Sequence, residues 1–64
     1  MYKVRDIIFL IEKDGWVLDR MKGSHRQFVH PNKKGIVTVS GHINDDVLRG
    51  TAHSVLKQAG LKEE

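Results

Sequence analysis

The segment Arg20-Met21-Lys22-Gly23-Ser24-His25-Arg26-Gln27-Phe28 holds the densest set of chemistry-bearing side chains in the sequence. His25 supplies an imidazole, a group that can give or take a proton near neutral pH. Lys22 and Arg26 flank it with positive charge, Ser24 adds a hydroxyl, and Gly23 lets backbone approach a ligand closely. A phosphate held by the two cations beside a proton-transferring imidazole is a minimal site for attack of an RNA 2′-hydroxyl on its own phosphodiester, a reaction that requires no metal. The plainer reading of the same residues is a hairpin turn in which Gly23 and Ser24 serve conformation alone. Lys33 and Lys34, at what reads as a second hairpin tip, are candidates to guide phosphates toward the segment.

The charge distribution supports a polyanionic ligand. The net charge is +3, but between Arg20 and Ile43 lie Arg20, Lys22, Arg26, Lys33 and Lys34 with no Asp or Glu, so this stretch alone carries +5 and the remainder −2. A local positive field of this kind suits RNA, DNA or an acidic protein surface. Four histidines, His25, His30, His42 and His53, are spaced by 5, 12 and 11 residues. None forms the i, i+4 helical pair that metal sites favour, so neither a metal nor a cofactor is expected. The absence of cysteine excludes disulfides, thiolate clusters and a cysteine nucleophile.

These groups must be positioned by a small scaffold. A chain of 64 residues has room for one core, and its longest apolar run, Ile7 to Ile11, is far short of the roughly 20 residues of a membrane span. The start of the chain meets charge within three residues and reads as no export signal, which makes a cytoplasmic location the expectation. Val4, Ile7, Ile8 and Ile11 recur at helical spacing, which predicts a helix from about Lys3 to Lys13 closed by Asp14-Gly15. Trp16 to Met21, Gln27 to His30 and Ile36 to Ser40 read as three strands of an antiparallel meander. Thr51 is a candidate cap for a second helix running to about Ala59, where Ala52, Val55, Leu56 and Ala59 share a face, Gly60 ends it and Leu61 folds back.

Two amphipathic helices and a one-sided sheet are most simply combined by laying both helices on one sheet face. The expected fold is therefore α+β in the order α-β-β-β-α, with a three-stranded antiparallel sheet open on its other face. Phe28 has opposite parity to His25, so a buried Phe28 turns His25 outward. The parity also sends His30 to the edge of the core. Trp16, an aromatic that could stack on a base, reads as a core residue at the start of its strand. The first strand resists assignment, because Trp16 and Leu18 share one parity while Val17 and Met21 share the other.

Gly15-Trp16, Arg20, Lys22-Gly23-Ser24-His25-Arg26-Gln27-Phe28, His30-Pro31, Val37-Thr38-Val39, Gly50-Thr51 and Leu56-Lys57-Gln58-Ala59-Gly60-Leu61 together resemble the HicA, or YcfA-like, toxin family. The likeness spans nearly the whole chain and differs at Ser40-Gly41, where many members carry a proline. It implies one HicA-like domain over residues 1–64, with a fold like the double-stranded-RNA-binding domain. It further implies an mRNA interferase, an endoribonuclease neutralised by a HicB-like antitoxin with which it would assemble. In this sequence the family's catalytic histidine corresponds to His25, with Lys22, Gly23, Ser24, Arg26, Lys33 and Lys34 as the expected RNA-binding set. The alternatives are an RNA-binding module without catalysis and a decayed toxin that acts only through protein contacts.

Overall fold

A computed structural model describes residues 2–61. The chain runs through β1 (Tyr2–Lys3), α1 (Val4–Asp14), β2 (Val17–Lys22), β3 (His25–Val29), β4 (Val37–Val39), β5 (Asp46–Val47) and α2 (Arg49–Gln58). The three-stranded antiparallel sheet has the order β2-β3-β4, and β1 pairs with β5 in a separate two-stranded ribbon. The expected order of helix, three strands and helix is therefore present.

The apolar spacing in α1 places Val4, Ile7 and Ile11 on one buried stripe, and α2 contributes Ala52 and Leu56, followed by Ala59. Both sets meet Phe28, Val37 and Val39 from β3 and β4 in one core. Both helices thus cover the same sheet face. The extents of 30 × 28 × 16 Å fit a two-layer molecule, with its thin axis across one sheet and one helix layer.

Helix α1 stops at Gly15, whose φ of 111° is a conformation that glycine adopts without Cβ strain. The N–H of Gly15 donates to the Glu12 carbonyl and that of Trp16 to Ile11, a Schellman closure. The end of α2 repeats the pattern: Gly60 donates to Lys57 and Leu61 to Leu56. In each case the residue after the glycine is apolar and folds back onto the core.

Two features differ from the sequence expectations, and a third supplies the register that the first strand's pattern leaves open. The β1–β5 ribbon pairs Tyr2 with Val47 and Lys3 with Asp46, and the 43–45 segment caps α1, with the Val4 and Arg5 amides donating to the Asp45 and Ile43 carbonyls. Because the extended segment ends at Val47, α2 starts at once, at Arg49, and Thr51 lies inside its first turn instead of capping it. Finally, the β2–β3 register shifts between Leu18 and Arg20. This bulge explains the conflicting parities of the first strand. It returns Leu18 and Met21 to the face of Phe28 and turns Val17, Arg20 and Lys22 to the other.

Trp16, 2% exposed, connects the layers. Its Nε1 donates to the Ala59 carbonyl at 3.1 Å, and its ring meets His30 edge-on with centroids 5.2 Å apart. His30 accepts the Asn32 amide at Nδ1, which places its proton on Nε2 for donation to the Asp14 carbonyl at 2.9 Å. Lys33 donates to the Asp14 carboxylate at 2.6 Å and to the Ala59 carbonyl at 3.1 Å.

A Cβ at position 15 would lie 2.8 Å from Nε2 of His30 on a backbone with positive φ. Gly15→Ala is therefore expected to destabilise the fold by about 1–3 kcal/mol, measured as a lower denaturant midpoint. The Asp14 carboxyl is held below its ordinary value of 3.8 by the hydrogen bond from Lys33, with desolvation opposing and the Lys33 charge assisting. A carboxylate lowered on folding contributes stability above its unfolded value, and that contribution is lost as pH falls through its folded value. The difference in melting temperature between the parent and Asp14→Asn should thus shrink on acidification below about pH 4, as followed by thermal melts across the acid range.

Candidate functional site on the open sheet face

The β2–β3 hairpin closes through the two residues Gly23 and Ser24, with Lys22 opposite His25. Gly23 has φ 59° at the first central position of the turn, while Ser24 has no positive φ, as in type II′ hairpins. A Cβ on Gly23 would meet nothing within 4 Å, so its cost would be conformational. The turn sets His25 as the first residue of β3, two residues earlier than the sequence pattern starts that strand.

Cross-strand partners share a face, so the register orders the helix-free side of the sheet. Lys22 lies opposite His25, Arg20 opposite Gln27, and Val17 opposite Val29, while β4 adds Thr38 opposite Gln27. The parity expectation is met: Phe28 is 1% exposed and His25 faces solvent. Arg20, Lys22, His25 and Gln27 line a shallow, half-open depression of about 400 Å³. Among the described residues, none of these four side chains has a hydrogen-bond or ion-pair partner. The depression is therefore cationic, carries an imidazole, and has no carboxylate in its lining among the described residues.

The sequence-selected residues divide between this surface and the scaffold. Lys22 and His25 are brought together, and Gly23 and Ser24 form the adjoining turn. Arg26 has the parity of Phe28; its Nη1 donates to the Gly41 carbonyl at 2.8 Å and more weakly to that of Ser24 at 3.4 Å. It thereby ties the turn beside His25 to the loop after β4. Lys33 is held by Asp14 and Ala59 and lines no part of the depression. Lys34 is exposed on the 30–36 connection, also outside the depression. Arg20 and Gln27 also line the depression, beyond the residues that the sequence predicts. Gln27 shares the parity of His25 and could have been found from it, whereas Arg20 was hidden by the bulge at Asp19.

A small two-layer α+β domain with an imidazole and free cations on an open sheet face has the equipment to bind a polyanion and move a proton on it. Residues 4–61 match the family described as the HicA toxin of bacterial toxin-antitoxin systems, and the chain belongs to that family. It is accordingly a toxin of a toxin–antitoxin pair, with an antitoxin as its general class of partner. Among curated proteins none matches the chain. No helix of the described residues is long and apolar enough to cross a membrane.

The scaffold role of Arg26 has a direct consequence. Arg26→Met keeps the apolar stem but loses the charged donor to Gly41, and should lower stability by about 1–3 kcal/mol. Urea denaturation reads this, and an unchanged midpoint would show that the contact contributes nothing.

Proposed function

We propose that this toxin belongs to a type II system, in which the antitoxin is a HicB-like protein, and that it is a cytoplasmic endoribonuclease acting on mRNA. The observation that carries the reading is the exposed His25 beside the unpartnered cations Lys22 and Arg20 in one depression. In the proposed reaction a bound strand places a phosphodiester against the two cations and the adjacent ribose 2′-hydroxyl against His25. His25 takes the proton of that hydroxyl, the 2′-oxygen bonds to phosphorus, and the bond from phosphorus to the 5′-oxygen breaks. The departing oxygen receives a proton from the imidazolium or from solvent, leaving a 2′,3′-cyclic phosphate and a 5′-hydroxyl.

Lys22 and Arg20 stabilise the charge that builds on the phosphoryl oxygens, which is worth most in the transition state. Arg26 contributes indirectly, by holding the turn that carries His25. Ser24, in that turn, supplies a hydroxyl for the phosphate, while Gly23 leaves the approach open. Lys34, and Lys33 through whatever charge its ion pair leaves, add to the field that attracts the strand.

A single positioned proton-transfer group contributes about 10² to 10⁴ in rate. His25→Ala should therefore slow cleavage of a single-stranded RNA by that factor while retaining the melting temperature of the parent, because the ring touches none of the core. Cleavage by the parent should persist in excess chelator. Equal rates for variant and parent would remove His25 from the mechanism, and binding without any cleavage would favour a purely RNA-binding role.

A further inference from the structure

Resting on that reading, we infer that the open sheet face is a track for single-stranded RNA and that Gln27 reads the base beside the scissile phosphate. The face has a directional chemistry. Along β2, at the sheet edge, lie the cations Lys22 and Arg20. Across from them toward β4 lie Gln27 and Thr38, neutral groups with donors and acceptors but no charge. A strand laid on this face satisfies both columns when its phosphates follow β2 and its bases lean toward β4.

The spacing agrees. Side chains on one face of a strand recur every two residues, about 7 Å, so Gln27 is one step along β3 from the imidazole of His25. The next pair on this face is apolar: Val17, 58% exposed, opposite the half-buried Val29. It offers a surface for the plane of the following base. From His25 to Val29 the track extends about 13 Å, enough for a few nucleotides and too short for extended recognition.

The Gln27 amide can both donate and accept, and in the free protein it has no partner among the described residues. Covering it with a base that cannot pair leaves those groups desolvated and unbonded, which is the physical source of discrimination. The Watson–Crick edge of a base is accessible to such a side chain only in an unpaired strand, since in an A-form duplex that edge is paired and the major-groove edge lies deep in a narrow groove. The substrate class is therefore single-stranded RNA with a preferred base next to the cut.

The test is to cleave a single-stranded RNA pool randomised around one site and to sequence the new ends. The parent should show a base preference at a nucleotide adjoining the cut. Gln27→Met, which keeps length and removes the amide, should flatten it by roughly 10-fold, and Thr38→Val should weaken it less. Identical end distributions for parent and Gln27→Met, or a preference only at more distant positions, would overturn the inference.

A second measurement separates this from failure of the nuclease reading. In the His25→Ala background, anisotropy of short labelled RNAs should show base-dependent affinity that Gln27→Met abolishes, even if no RNA is ever cut. Equal affinity for all bases, or tighter binding of a duplex than of a single strand, would overturn the track while leaving His25 chemistry untouched.

Discussion

The backbone carbonyl of Ala59 receives two donors that come from distant parts of the chain: the Trp16 indole and the Lys33 ammonium. The remainder of the fold depends on this junction. Trp16 links α1 to β2, Ala59 follows α2, and Lys33 lies in the connection between β3 and β4. Drawing these together brings the C-terminal ends of both helices to one corner of the sheet. Asp14 completes the corner, paired with Lys33 through its side chain and bonded to His30 through its carbonyl. A chain without disulfides has few means of fixing two helices against three short strands. Here a buried aromatic with a satisfied N–H supplies both apolar area and direction.

Concentrating the core beneath β3 and β4 has a consequence for β2. All six of its residues are exposed, because the helices pack over β4 and leave the hairpin projecting beyond them. An edge strand with two solvated faces invites pairing with other chains, and this one has the usual protections: a bulge and the charges Asp19, Arg20 and Lys22. In the proposed function the same cations bind phosphate. Protection of the edge and recognition of a polyanion thus call for the same residue types at the same place, and neither conflicts with the core.

Elements governed by local rules were legible in the sequence. The period of α1, the glycine closures of both helices, and the alternation of β3 and β4 each follow from contacts within a few residues. The outward direction of His25 followed from the parity of Phe28 alone. What escaped the sequence depends on partners far along the chain. The β1–β5 ribbon joins residues more than forty apart. Lys33 and Arg26 look like free cations in a basic stretch until the carbonyls of Ala59 and Gly41 are brought to them. The bulge at Asp19 carries no glycine to mark it, and it shifts Arg20 from one face to the other, which is why Arg20 is missing from the site that the sequence suggests.

The arrangement of β3 shows how so small a domain accommodates both stability and a reactive surface. Consecutive residues alternate in their role: His25 outward, Arg26 inward to Gly41, Gln27 outward, Phe28 into the core. Every exposed group on this strand is therefore flanked by an anchored one, and its backbone is paired with β2 from His25 onward and with β4 from Arg26 to Phe28. A surface imidazole on a loop would lose orientational freedom when substrate binds. On a strand held in this way, the backbone's share of that loss has already occurred on folding. The requirement for an open face in turn explains the placement of both helices on the opposite side, since either helix moved across would cover the alternate residues that the proposed chemistry exposes.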